Sequence, residues 1–177
     1  NVVVIDAEAS IQDKPNFDVV SENTNEDETI SDEVSFTHGR FGDAIICGIN
    51  NVKTKYFVII FADGSTNPSE IKSLKNHQSE TNSHFVFGSR YLKEASSEDD
   101  TILTYIGNKM FTFIGKIFFK LKISDILYTY VLGETEKFKE LNLKSKDFGI
   151  CVELPIVANF KKMKITDYPC NERSRKY

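Results

Sequence analysis

An α/β chain is expected from three stretches of this sequence. Tyr56-Phe57-Val58-Ile59-Ile60 is an unbroken aromatic and β-branched run that reads as a buried strand, and it ends in the acidic turn Phe61-Ala62-Asp63-Gly64-Ser65. Phe85-Val86-Phe87 reads as a second short buried strand, which delivers Ser89 and Arg90 to the same sheet edge as Asp63. Between Gly42 and Lys53, the residues Ile45, Ile46, Ile49 and Val52 recur at helical spacing and form one apolar face for packing on a sheet.

The rest of the chain fills in around these three. From Ala7 to Phe36 the sequence is rich in Glu, Asp, Asn, Ser and Thr, which predicts a loop with a short strand at residues 17–20. His38 and the turn Gly39-Arg40-Phe41-Gly42 lead into the first helix, with glycines where the backbone must approach a ligand or a neighbouring segment. Asn67 is placed to cap a helix, with Pro68 at its first position and Glu70 reaching back. Residues 102–122 contain no acidic side chain. Apolar residues at 103, 106, 110, 114, 117, 118 and 121 keep helical spacing, with Lys109, Lys116 and Lys120 along one edge. Two environments suit this helix: a core position with a solvated lysine edge, or the headgroup layer of an anionic membrane.

Composition narrows the function classes. With 177 residues and 40% hydrophobic content the chain suits a single domain, 1–177. A net charge of -4 argues against a nucleic-acid binder that works through a broad basic surface. Cys47, Cys151 and Cys170 lack metal-ligand spacing and read as reduced thiols, which points to a cytoplasmic setting. No apolar run reaches the length of a membrane span. Asn1 in first position suggests a piece cut from something longer.

Asp63 at a strand's carboxyl end can reach a divalent ion carrying a diphosphate, and the planar fork of Arg90 at the same edge suits phosphate oxygens. The same residues also suit an ordinary strand-turn-helix with a solvated Asp and an Arg paired to a surface acid.

Four segments carry a family resemblance: Gly39-Arg40-Phe41-Gly42-Asp43-Ala44-Ile45 with Gly48; Phe61-Ala62-Asp63-Gly64-Ser65; Phe87-Gly88-Ser89-Arg90-Tyr91; and Cys151-Val152-Glu153-Leu154-Pro155-Ile156 followed by Tyr168-Pro169 and Arg173-Ser174-Arg175-Lys176-Tyr177. In this order they resemble the family 2 glycosyltransferases, most closely the branch with dolichol-phosphate mannosyltransferases and polyprenyl-phosphate glycosyltransferases. The resemblance implies a GT-A fold, a mostly parallel twisted sheet flanked by helices and Rossmann-like, truncated here at both ends. It also implies an inverting transfer from a nucleotide-diphosphate sugar, assisted by Mg²⁺ or Mn²⁺, to a polyprenyl phosphate or another acceptor at the cytoplasmic face of a membrane.

By the same resemblance Asp63 holds the metal. Asp6, Gly39, Gly42, Ala62, Asp63, Arg90 and Arg175 contact the donor, and Asp63, Arg90, Asp125 and Glu153 are the catalytic candidates. Asn1 to Asp6 is similar to the family's second strand, although Ala7-Glu8-Ala9-Ser10 departs from its pattern. Leu127, Tyr128 and Tyr130 depart from the turn that follows Asp125. The main departure is Phe61, where the family motif has an additional Asp. Phenylalanine neither binds a metal nor holds a ribose by hydrogen bonds, so a catalytically impaired homologue serving as a binding or assembly module stays open, as does transfer to a soluble saccharide hydroxyl. A nucleotidyltransferase is disfavoured, because no Gly-rich, Lys-containing phosphate loop appears.

Overall fold

The computed structural model describes residues 2–6 as backbone and residues 40–175 in full. The loop and short strand expected between Ala7 and Phe36, together with His38 and Gly39, lie outside the described residues. The elements run β1 (Val2–Asp6), α1 (Phe41–Asn51), β2 (Tyr56–Phe61), a 3-10 turn (Pro68–Glu70) leading into α2 (Ile71–Thr81), β3 (Phe85–Ser89) and β4 (Ser96–Ser97). They continue with α3 (Ile102–Phe119), β5 (Val131–Glu134), α4 (Thr135–Leu141), α5 (Ile150–Phe160), β6 (Ile165–Pro169) and β7 (Asn171–Glu172).

The α/β class is as the sequence predicts, but the sheet is mixed rather than mostly parallel. Its strand order is β1-β2-β5-β3-β6. β5 runs antiparallel to both β2 and β3, β1 is antiparallel to β2, and only β3 and β6 are parallel. The reversal follows from the path of the chain. Residues 120–130 pass along the edge where β2 and β3 end, so β5 enters the sheet from that edge and runs back between them. β2, β3 and β6 therefore share one direction, and the segments after Phe61, Ser89 and Pro169 all emerge together.

Alternation along the strands splits the core between two faces. Phe57, Ile59, Phe85, Phe87 and Val131 pack with Ile45 and Ile49 of α1, Phe138 of α4 and Leu154 of α5. Val58, Ile60, Val86 and Leu132 pack with Ile71 and Leu74 of α2. Asn67 caps as expected, its Oδ1 accepting from the Ser69 N–H at 3.3 Å. Glu70 does not reach back to complete a capping box. Its Oε1 instead accepts from the backbone N–H and Nδ2 of Asn171, at 3.2 and 3.1 Å.

Gly133 shows how tight the centre is. A Cβ there would lie 2.5 Å from a Phe85 ring carbon and 2.7 Å from Phe57. Both rings are fully buried, so they have nowhere to retreat. Gly133→Ala is expected to cost about 1–3 kcal/mol through overpacking, measured by urea unfolding; a cost near zero would mean that the rings reorganise freely.

The helix α3 is turned opposite to a core helix. It docks through Tyr105, Asn108, Thr112, Gly115 and Phe119, a stripe at three- and four-residue spacing made largely of polar or small groups. Asn108 Nδ2 donates to the Tyr91 hydroxyl at 2.8 Å, Thr112 Oγ1 accepts from the Ile126 N–H at 3.3 Å, and Asn159 Nδ2 donates to the Phe119 carbonyl at 2.8 Å. The apolar residues face outward, with Leu103 81%, Phe113 62% and Phe118 73% exposed. The core placement considered for this helix is thereby corrected. Among the described residues no helix is long and apolar enough to cross a membrane.

Candidate functional site

At the edge where β2, β3 and β6 end, a pocket of about 310 Å³ is lined by Phe41, Phe61 and Phe148 together with Asp63, Arg90 and Arg175. Its floor is a turn that the sequence of β2 builds locally. Thr66 Oγ1 accepts from the Phe61 N–H at 3.0 Å and donates to the Phe61 carbonyl at 3.1 Å, closing the turn on itself. Gly64 takes a φ of 81°, open to glycine at no steric cost. Asp63 Oδ1 accepts from both the N–H and the hydroxyl of Ser65, at 2.9 and 2.6 Å. This fixes the carboxylate and leaves Oδ2 facing Arg175 Nε at 3.7 Å. The side chain of Asp63 is 26% exposed.

Arg175 lies between two acids, its Nε 2.9 Å from Asp99 as well as 3.7 Å from Asp63. The C-terminal segment that carries it is tied down by the Arg173 N–H, which donates to the Ser65 carbonyl at 2.9 Å. The Ser174 N–H donates to Glu98 Oε2 at 3.1 Å.

Arg90 reaches the same pocket but is held by protein acids. Its Nε and NH2 donate to the two oxygens of Asp125 at 2.7 and 3.1 Å, a two-pronged pairing, and its NH1 donates to Glu172 at 3.2 Å. Asp100 lies 3.8 Å away. Arg90 is 8% exposed and the Asp125 side chain 0%. Burial alone would lower the guanidinium's pKa. The hydrogen bonds and charge of Asp125, with the charge of Glu172, outweigh it and hold the group above its ordinary value. Aromatic rings cover it, with Tyr128 at 4.8 Å and Tyr91 at 5.1 Å. Tyr91 in turn donates its hydroxyl to Asp100 at 2.6 Å, and burial followed by this bond raises its pKa.

The remaining sequence candidates divide plainly. Asp125 lies beside the pocket, but both its oxygens serve Arg90. Glu153 is elsewhere: its carboxylate accepts from the backbone N–H groups of Lys144 and Ser145, at 2.9 and 2.7 Å, and organises the loop before α5. Burial would raise its pKa, but these bonds more than offset that and lower it. Gly42 approaches a protein loop, since a Cβ would lie 2.3 Å from the Ser145 carbonyl, and its N–H donates to the Lys146 carbonyl at 2.9 Å. Ala62 is an exposed turn residue outside the pocket lining. Asp6 does not join the pocket residues: β1 runs antiparallel to β2, so Asp6 pairs with Phe57 near the start of β2 and its backbone stands at the sheet edge away from Asp63.

The chain matches no family model and no curated protein. The functional reading therefore rests on the pocket. Sequence reasoning missed Glu172, Phe41 and Phe148 as its components. Glu172 carries no local signature, and the two phenylalanines read as ordinary apolar positions until the loops that hold them are brought together. Cys151 also lines the pocket. Burial raises its thiol pKa against the opposing effect of the Thr129 hydroxyl, so it stays protonated rather than acting as a nucleophile.

Metal chemistry is limited by the donor set. Among the described residues no cluster of three metal-ligating side chains occurs. Asp63 Oδ2 remains as one fixed carboxylate oxygen. That fits an ion arriving with a diphosphate and keeping waters, as Mg²⁺ does, rather than one caged by protein.

Proposed function

We propose that this chain transfers a sugar from a nucleotide-diphosphate sugar to a polyprenyl phosphate at a membrane surface, with inversion, on a GT-A-type scaffold. The observation that carries the reading is the meeting of Asp63 and Arg175 in one pocket at the shared ends of β2, β3 and β6. In such a reaction an acceptor oxygen attacks the anomeric carbon while the bond to the diphosphate breaks, and the electron pair leaves with the diphosphate. Negative charge grows there, so fixed positive charge lowers the barrier more than covalent chemistry would. Arg175 supplies that charge. Asp63 would hold a Mg²⁺ or Mn²⁺ ion, which when bound neutralises charge on the leaving group. Arg90 acts as a positioning residue that fixes the pocket wall.

The acceptor class follows from which bases are available. A hydroxyl acceptor needs a general base, whereas a phosphate is already ionised near neutral pH. Asp125 is consumed by Arg90, and Glu153 by two backbone amides. Neither is placed to take a proton, which supports the phosphate. The outward apolar face of α3, edged by Lys109, Lys116 and Lys120, supports a peripheral position on an anionic bilayer.

Phe61 favours a second reading, a catalytically impaired homologue that binds a partner or a membrane as an assembly module. Calorimetric titration with a nucleoside diphosphate and Mg²⁺ separates the two. Asp63→Asn is expected to weaken binding about tenfold or more by removing a charged ligand. Asp99→Asn should leave it unchanged or tighten it, because Arg175 is released from its nearer partner. Equal losses in the two variants, or no binding by the unmodified chain, would favour the non-catalytic reading.

A further inference from the structure

We propose that Phe61, Phe41 and Phe148 form a stacking platform for the nucleobase of the donor, an inference that rests on the nucleotide-sugar reading above. The rings of Phe41 and Phe148 lie 4.4 Å apart at 20°, and those of Phe41 and Phe61 6.3 Å apart at 23°. Phe41 and Phe148 stack on one another, Phe61 lies near-parallel to Phe41 at longer range, and the three rings from β2, α1 and the loop before α5 together line the pocket as an aromatic wall. Phe148 is 70% exposed, so much of its ring is open to contact. The same pocket is also lined by Asp63, Ser65 and Arg175.

A ligand that suits both kinds of lining is planar and apolar at one end and, at the other, carries an anion for Arg175 together with a divalent cation for Asp63. Aromatic rings gain most from offset stacking on another planar ring. The shallow angles of this wall extend that geometry toward a heterocycle more than toward the puckered face of a sugar. Phe61 stands two residues before Asp63, so a base on the wall and a diphosphate at Asp63 fit a single nucleotide. The residue that looks like a defect in a metal-binding motif is, on this account, a specificity-determining residue that exchanges a polar contact for a stacking surface.

The test uses the whole chain and four probes with Mg²⁺: UDP, GDP, ADP and inorganic pyrophosphate. The chain has no tryptophan, so Phe148→Trp provides a single fluorescent reporter on the wall. At least one nucleotide should bind this variant as tightly as the unmodified chain and quench its emission, while pyrophosphate leaves emission unchanged. Phe148→Ala and Phe61→Leu should each weaken the preferred nucleotide about tenfold, the scale of one lost base–aromatic stack, with pyrophosphate affinity held within about twofold. Thermal melts of each variant confirm that it is folded.

Nucleotide binding that survives both substitutions would overturn the platform and leave the nucleotide-sugar reading standing. Equal losses for nucleotide and pyrophosphate would also overturn it, since the wall would then act only by supporting the turn of Asp63. Failure of the unmodified chain to bind any of the four probes would remove the nucleotide-sugar reading and the platform with it.

Discussion

Arg90→Met is expected to destabilise the chain by about 3–5 kcal/mol, the cost of removing one partner from a buried ion pair. Methionine fills much of the arginine stem's volume, so packing loss is small and the effect isolates charge. What remains is Asp125, with no side-chain exposure, and Glu172, at 7%, both without their cation. Asp100, 3.8 Å from the guanidinium and 12% exposed, loses the same neutralising charge. Urea unfolding measures the change directly, and for a chain of this size the melting temperature should fall by roughly 10 °C. Adding Asp125→Leu to Arg90→Met should recover part of the loss, because a hydrophobic replacement of a buried pair is often close to neutral. A loss below 1 kcal/mol in the single variant would mean that water enters the network and solvates the orphaned acids.

The second large effect is expected at α3. Lys116 and Lys120 are exposed, and Lys109 lies 4.5 Å above the Tyr91 ring at the edge of the helix. Near an anionic surface each lysine contributes about 1 kcal/mol. Changing all three to Gln should therefore weaken association with anionic liposomes by roughly a hundredfold in low salt, and by much less where salt shortens the Debye length. Phe113→Ser and Ile117→Ser should reduce partitioning without unfolding the chain, because both side chains already face solvent, at 62% and 56% exposure. Co-sedimentation with anionic and neutral liposomes reads the first effect, and thermal melts read the second. If partitioning is absent and Phe113→Ser instead dissolves a dimer, the face covers a second copy of the chain and the bilayer assignment falls.

The sequence was informative wherever the signal is local. β2, β3 and α1 stand close to their expected positions, because runs such as Tyr56–Ile60 and the spacing of Ile45 and Ile49 record their environment within a few residues. The convergence of Asp63 and Arg90 on one edge was legible for the same reason. β5 was not, since Val-Leu-Gly-Glu is four residues long and contains a glycine that only its cross-strand phenylalanines explain. The partner of Arg90 lies 35 residues away and is set by the insertion of β5, which no periodicity records. On α3 the spacing located the apolar stripe but not the direction it faces. That direction is decided by Thr112, Gly115 and Asn108 on the opposite side, whose docking partners lie in Ile126, Leu121 and Tyr91.

The segment from Cys170 to Arg175 gives this fold an order of assembly. The Cys170 N–H joins the Ser89 carbonyl, Asn171 joins Glu70, Glu172 joins Arg90, and the Arg173 N–H joins the Ser65 carbonyl. Each of these contacts closes a loop of 81 to 108 residues in chain numbering, and loop closure of that length is a slow, entropically costly event in folding. During synthesis the β2, β5 and β3 strands can pair as soon as Glu134 has left the ribosome, but the pocket stays unfinished until the last of these residues follows. A chain released before Cys170 would keep the central strands of its sheet and lose the strap that joins the turn of Asp63 to the acids around Arg90.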